Sequence, residues 1–170
     1  MFQFYKEGLK MQKSVNLVVK KGFDGQRVTT DQNIYTCENY LSDGTVKAGT
    51  FAFKGSASGN GEQMGVVSAT GTVLVGFVER VVDASIAPTV EATDVYPVGS
   101  PVLVALKGQF YVTANGTVSA GMSVYVKGDT GAITFASQNS DSLIDTGFKV
   151  VIPDGKTSAG NGDVIVIEKF

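Results

Sequence analysis

Apolar and polar residues alternate along much of the chain, most regularly over residues 102–113 (VLVALKGQFYVT). One set of alternate positions is expected to face the core: Val102, Val104, Leu106, Phe110 and Val112. The other set is mainly polar: Leu103, Lys107, Gln109 and Thr113. This two-residue period is typical of a half-buried antiparallel strand, which we expect to be interrupted at Gly108.

A tight turn is predicted directly after this strand. Asn115-Gly116 separates it from a second apolar run that contains Val118, Val124 and Val126. An Asn-Gly pair between two apolar runs is the strongest short-range signal for a hairpin. We therefore predict that residues 102–127 form a β-hairpin.

Similar short apolar runs occur along the rest of the chain, separated by turn-forming sequences such as SDG, GDTG and PDG. The further strand candidates are residues 15–20, 27–36, 72–82, 132–136, 147–152 and 163–169. Helix signals are weak and confined to residues 4–13 and 138–145, while 55–65 and 85–101 are expected to be irregular. About eight to ten short strands at this spacing predict an all-β fold, a compact antiparallel β-barrel or β-sandwich.

One sequence unit occurs twice, as DGTVKAGTFAFKG at residues 43–55 and as NGTVSAGMSVYVKG at 115–128, and TGTVLVGFV at 70–78 repeats its opening. We interpret the unit as a turn, a short strand, a bulge and a second strand. Gly44 and Gly116 are assigned to the turns. Gly49 and Gly121 are assigned to the bulges, because glycine inside a strand pattern often marks one. The alternative is a chance coincidence of abundant residues.

The composition fits one folded domain. A chain of 170 residues with 43% hydrophobic and 18% charged residues can bury a core and is not of the disordered type. We expect residues 1–21 to form an extended N-terminal arm and residues 22–170 to form a single β-domain.

Charge and hydropathy exclude several partner classes. The net charge of −2 is too weak for a non-specific nucleic-acid binder. No apolar run reaches the length that spans a membrane, and the start lacks the apolar core of a secretory signal. The single cysteine, Cys37, cannot form an internal disulfide and is interpreted as a small buried hydrophobe. We expect a soluble protein made in a cytoplasm.

No catalytic, cofactor-binding or metal-binding set is recognisable. The chain has no histidine, which removes the commonest general base and neutral metal ligand. The GKT at 155–157 lacks the glycine that a phosphate-binding loop requires, since Val150 stands there. Asp141 and Asp145 do not match a calcium-loop pattern and are interpreted as solvated carboxylates.

Residues 101–134 (PVLVALKGQFYVTANGTVSAGMSVYVKGDTGAIT), the strand IDTGFKVV and the ending NGDVIVIEKF resemble the structural cement or decoration proteins of tailed bacteriophage capsids. GFDGQRV at 22–28 and GFVERV at 76–81 also fall in family-like order. The resemblance implies a compact β-domain on the outside of the phage head that stabilises it by bridging major capsid subunits. It implies no enzymatic activity, no cofactor, no nucleic acid and no membrane. It further implies a homo-oligomer, with a trimer preferred to a dimer.

The basic N-terminal segment is then a candidate for capsid contact. Its proposed contact residues are Phe2, Phe4, Tyr5, Lys6, Lys10 and Lys13. Aromatic anchors dominate the binding energy of interfaces, and the lysines would suit an acidic neighbouring surface. The alternative is that these residues form a frayed, solvated terminus that binds nothing.

A second function from another class is a binding module of a tail or head fibre that recognises a carbohydrate or receptor. Such a module would be expected to present exposed aromatic platforms on its loops. The chain has no tryptophan, which disfavours this alternative.

Overall fold

The computed structural model describes residues 22–28, 33–35, 40–56, 65–81, 94–136 and 143–170. The described residues contain thirteen β-strands, one 3-10 turn at Pro153–Gly155 and no α-helix. The strands are β1 (Ile34–Tyr35), β2 (Tyr40–Ser42), β3 (Phe51–Lys54), β4 (Gly65–Ser68), β5 (Leu74–Val78), β6 (Pro101–Val102), β7 (Val104–Thr113), β8 (Val118–Ser119), β9 (Ser123–Lys127), β10 (Ile133–Ala136), β11 (Leu143–Val151), β12 (Ser158–Ala159) and β13 (Val164–Lys169). The predicted all-β class is confirmed, although the strands outnumber the expected eight to ten because four of them are only two residues long.

Eleven strands form one sheet in the order β10-β9-β11-β13-β7-β5-β3-β4-β2-β6, with β1 paired to β7, and β8 pairs with β12 in a separate small sheet. The pairing is antiparallel except between β2 and β4, which run parallel. The predicted antiparallel sheet is therefore present, with one parallel pair in it.

The large sheet curves around a core of aromatic rings. Phe51 in β3 and Phe148 in β11 have ring centroids 5.6 Å apart, although three strands lie between β3 and β11 in the sheet. In a flat sheet those two strands would be about 19 Å apart. The amide of Gly71 also donates a 2.8 Å hydrogen bond to the carbonyl of Gly128, which joins the turn after β4 to the turn after β9. The sheet therefore closes on itself through side chains and turns.

Six phenylalanines from the apolar strand patterns are placed at or beside this core. Five of them are fully or almost fully buried in it: Phe51, Phe53, Phe77, Phe110 and Phe148. Phe135 is half-buried and packs against it. A second, smaller core is centred on Val46, Val67, Val78 and Tyr96. Burial of this apolar surface is the main source of stability.

The predicted hairpin over residues 102–127 is wrong. β7 pairs with β13 over six residue pairs, from Thr113 with Val164 to Gly108 with Lys169, whereas β8 pairs with β12 and β9 pairs with β10 and β11. Gly116 does not adopt the positive φ that the favoured two-residue hairpin turn needs. The long-range pairing therefore prevails over the local turn signal.

The predicted inward position of Leu106 is also wrong, since Leu106 is 40% exposed while Ala105 is fully buried. Tyr35 pairs with Ala105 and the adjacent Ile34 pairs with Lys107, so two residues of β1 span three residues of β7. Leu106 is the extra residue of this irregularity, and such a residue is turned out of the regular alternation. The predicted interruption at Gly108 is wrong as well, because β7 continues through Gly108, which pairs with Lys169 and has a φ of 138°.

Residues 143–145, the end of the second helix candidate, belong to strand β11 and are not helical. The other helix candidate (4–13), the strand candidate 15–20, Cys37 and much of the two irregular stretches lie outside the described residues.

Candidate functional site

The predicted capsid-contact residues Phe2, Phe4, Tyr5, Lys6, Lys10 and Lys13 lie outside the described residues. The described chain begins at Gly22, so residues 22–28, called here the entry segment, connect those residues to the sheet. The way in which the entry segment is attached determines whether a force on the N-terminal residues reaches the folded domain.

The entry segment is bound through its backbone on two sides. On one side it pairs with β7 through three hydrogen bonds of 2.9 Å. The amide of Gly25 donates to the carbonyl of Tyr111, and the amide of Tyr111 donates to the carbonyl of Gln26. The amide of Val28 donates to the carbonyl of Gln109. On the other side the amide of Arg80 donates to the carbonyl of Gly25, also at 2.9 Å. The segment is therefore held between β7 and the residues that follow β5.

Close packing fixes the start of this segment. A Cβ atom on Gly22 would lie 2.3 Å from Cδ2 of the Tyr111 ring, so the glycine backbone is in direct contact with that ring. Asp24 accepts two further hydrogen bonds, one at its carbonyl from Nε of Arg80 and one at its carboxylate from the hydroxyl of Thr113, both at 2.8 Å. Because only glycine permits so close an approach, the contact requires Gly22.

A buried carboxylate holds the end of the segment. Glu79 is 2% exposed, and its Oε1 accepts a hydrogen bond from Nε of Arg27 at 2.5 Å. Its other oxygen accepts a hydrogen bond from the hydroxyl of Tyr35. The backbone carbonyl of Glu79 accepts from the hydroxyl of Tyr96 at 2.7 Å. A buried charge needs such partners, because an unpaired one is costly to remove from water.

The surroundings of this carboxylate shift the tyrosines next to it. Burial raises the pKa of Tyr35 above its ordinary value of 10.0, and the hydrogen bond to Glu79 raises it further. Burial also raises the pKa of Tyr96. Both phenols therefore remain neutral donors at physiological pH, which is the form that the Glu79 hydrogen bonds need.

Sequence reasoning did not single out Arg27, Tyr35, Glu79 or Tyr96. Glu79 carried a readable signal, since it stands with Arg80 inside the otherwise apolar run TVLVGFVERVV. A charge in such a run is either exposed or paired. Nothing in the local sequence indicates that the partner is Arg27, which lies 52 positions earlier.

The four glycines assigned to turns and bulges have different geometries. Gly44, Gly49 and Gly121 have φ values of 93°, 78° and 83°, whereas Gly116 lies outside the left-handed region. Gly49 donates to the carbonyl of Val78, whose amide donates to the carbonyl of Thr50, so two residues oppose one. Gly121 and Met122 oppose Val150 in the same way. A left-handed glycine in this two-against-one arrangement is a G1 bulge.

A groove of about 670 Å³ lies where the turns after β4 and β9 meet. Its charged lining residues are one acid, Asp129, and one base, Lys127. It is lined by Thr70, Gly71, Thr72, Lys127, Gly128, Asp129 and Ile144. In the described parts of the chain, no three acidic or cysteine side chains come together as a metal site. No helix among the described residues is long and apolar enough to cross a membrane.

Comparison with known proteins gives a family and a fold. The family model described as "Structural cement protein (E217 gp24/Pam3 gp6)" matches residues 11–169. A chain from the capsid of Myoviridae phage XM1 has a similar fold, with a TM-score of 0.57 and 15% sequence identity over 94% of this chain and 97% of that chain. No curated protein matches the sequence. Because the family model spans nearly the whole chain, the protein belongs to the structural cement protein family of phages and is a non-enzymatic component that decorates the capsid.

Proposed function

We propose that the protein binds the outer surface of the assembled phage head and bridges neighbouring major capsid subunits, with its N-terminal residues as one of the contacts. The attachment of the entry segment supports this most directly. The segment is held by three backbone hydrogen bonds to β7, by one from Arg80, and by the ion pair of Arg27 with the buried Glu79. A contact made by residues 1–21 would therefore act on a rigid domain and not on a loose end.

Stabilisation then follows from mass action. A protein that binds the assembled lattice more tightly than free subunits adds the difference in binding free energy to the stability of the shell. A rigid β-domain loses little conformational entropy when it docks, so more of its contact energy is retained. An interface of about 1,000 Å² or more per copy would make the contact specific.

Within the N-terminal residues, Phe2, Phe4 and Tyr5 would insert as aromatic anchors, and Lys6, Lys10 and Lys13 would face acidic groups of the capsid. Buried aromatic side chains contribute most to affinity, whereas charges at the rim mainly steer association. The division of the chain into an arm (1–21) and a domain (22–170) belongs to the same proposal.

A homo-oligomer, a trimer in preference to a dimer, is a further part of the proposal. Capsid lattices repeat each site around symmetry axes, and a closed oligomer would match such an axis. Sedimentation equilibrium of the purified protein tests it: a monomer at all concentrations would contradict the oligomer and leave capsid binding possible.

Co-sedimentation with undecorated shells tests the central proposal. The full chain is expected to sediment with the shells at micromolar concentration, and a chain that lacks residues 1–13 is expected to bind more weakly. The matched control replaces Lys6, Lys10 and Lys13 by glutamine and keeps the aromatic residues, so that charge and anchoring are separated. Failure of the full chain to co-sediment would overturn the proposal. Normal binding by the truncated chain would exclude residues 1–13 as a capsid contact.

A further inference from the structure

The chain contains three Asn-Gly steps, at residues 60–61, 115–116 and 161–162. Asparagine is among the chemically labile residues, and a glycine that follows it leaves its backbone nitrogen unshielded because it has no Cβ. The first step lies outside the described residues. The other two are both at the surface, but their backbones differ.

The amide nitrogen of Gly162 is held in the sheet. It donates a 2.8 Å hydrogen bond to the carbonyl of Ala114, whose own amide donates to Asp163 at 2.9 Å. This pair extends the pairing of β7 with β13, and the φ of Gly162 is 87°. To use its nitrogen in a reaction, Gly162 would first have to leave the end of this ladder.

The amide nitrogen of Gly116 is not held in this way. Within the described residues it has no hydrogen-bond acceptor, and a Cβ added to Gly116 would meet nothing within 4 Å. The side chain of Asn115 is exposed, and its Nδ2 donates a 2.7 Å hydrogen bond to the carbonyl of Ile133 in β10. That single surface hydrogen bond is the restraint on the Asn115 side chain, so the reactive geometry needs only a local rearrangement.

We propose that Asn115 is a site of spontaneous modification, at which the chain converts this asparagine to aspartate or isoaspartate through Gly116. The nitrogen of Gly116 attacks Cγ of Asn115, and a new C–N bond closes a cyclic imide. The bond between Cγ and the side-chain nitrogen breaks, and ammonia leaves with the proton from Gly116. Water then opens the imide at either carbonyl, so no oxidant or reductant is involved.

The modification changes the contact with β10. A carboxylate has no hydrogen to donate and would face the carbonyl oxygen of Ile133, where the amide now donates. The segment between β7 and β8 therefore loses its side-chain hydrogen bond to β10. Modified copies are expected to have a looser β10 than fresh copies.

Tryptic peptides separate the two described steps. Cleavage after Lys107 and Lys127 yields residues 108–127, which contain Asn115 alone, and cleavage after Lys156 and Lys169 yields 157–169, which contain Asn161 alone. The full-length folded protein is aged in mildly alkaline buffer, digested and examined by mass spectrometry. The deamidated fraction of the first peptide is expected to grow several-fold faster than that of the second, and in urea the two rates are expected to converge.

Two variants sharpen the test. Gly116→Ala should slow the reaction at Asn115 several-fold without affecting folding, because there is room for the methyl group and the φ of Gly116 is not left-handed. Asn115→Asp should accelerate hydrogen exchange at residues 133–136. Equal rates at Asn115 and Asn161 in the folded protein, or an unchanged rate in Gly116→Ala, would overturn the proposal. Unchanged exchange in Asn115→Asp would overturn its structural consequence.

Discussion

The segments 43–55 and 115–128 are similar in sequence and in the backbone geometry of their bulges, but their first turns differ and they lie in different surroundings. In both segments, a left-handed glycine and the residue after it face one residue of the neighbouring strand, and a mostly buried strand follows, β3 or β9. A Cβ on Gly49 would lie 2.6–2.8 Å from atoms of Asp24 and Gly25, whereas a Cβ on Gly121 would meet nothing within 4 Å. Sequence similarity therefore indicates the backbone geometry of the bulge, while the neighbours depend on the whole fold.

Replacement of Gly49 by alanine is expected to have the largest effect. The left-handed φ costs the alanine about 1–2 kcal/mol, and the clash with the backbone of the entry segment adds about as much again, so we expect a loss of about 2–4 kcal/mol. Urea unfolding measures it. A loss no larger than that of Gly121→Ala would show that the two segments do not differ as the structure indicates.

Loss of the Arg27 side chain tests how firmly the entry segment, against which Gly49 packs, is attached. Arg27→Met leaves the Glu79 carboxylate buried with Tyr35 as its side-chain partner. We expect a loss of only about 2 kcal/mol, because the arginine side chain is 42% exposed. The double variant with Glu79→Gln should recover part of this loss, since a neutral amide needs no counter-charge. If the double variant is less stable than Arg27→Met, the ion pair does not act as described.

Gly121→Ala should lose only the cost of the left-handed φ, about 1–2 kcal/mol, as measured by urea unfolding. Gly116→Ala is the control, because Gly116 has neither a left-handed φ nor a close neighbour, and it should stay within about 0.5 kcal/mol of the wild type. Equal losses of stability in Gly121→Ala and Gly116→Ala would show that the bulge does not require a glycine at position 121.

The smallest expected effect is on the pH dependence of stability, because the first residues of the two segments are Asp43, which titrates, and Asn115, which does not. Burial alone would raise the pKa of Asp43, but hydrogen bonds from the side chain and amide of Thr45 outweigh it and lower the pKa below 3.8. A carboxyl with a depressed folded-state pKa contributes stability above its unfolded value, and this contribution is lost as the pH falls through the folded value.

The variant Asp43→Asn, which copies the second segment, should therefore have a weaker loss of stability below about pH 5 than the wild type. Thermal unfolding at a series of pH values from about 3 to about 7 measures this difference. An identical acid profile in both proteins would mean that the Thr45 hydrogen bonds do not favour the ionised carboxyl.

The local features of the fold could be predicted, and the pairing could not. Alternation in 102–113 identifies strand β7, and the glycines at 49 and 121 stand where a left-handed φ is needed. No local signal shows that β7 pairs with β13 instead of with the run after Asn115-Gly116, because six distant residue pairs outweigh one turn. The position of Leu106 failed for a related reason, since its exposure depends on the register of β1.

The function was predicted through family resemblance, whereas the buried carboxylate was missed. The turn and strand motifs of residues 101–170 indicated a cement protein, and the family match confirms that assignment. The pairing of Glu79 with Arg27 is a property of the folded chain, because the two residues meet only when the entry segment lies beside β7. The charge in the run 72–82 could have flagged Glu79, but its partner could not be identified.

The position of β7 has a consequence for how the chain reaches its native state. β7 pairs with the entry segment, β1, β5 and β13, and all of these come from distant parts of the sequence. Closing such long loops costs chain entropy before any contact compensates for it, so folding should take milliseconds to seconds. Newly synthesised copies would then expose an apolar strand for that time, and recruitment to the head would have to wait until it is covered.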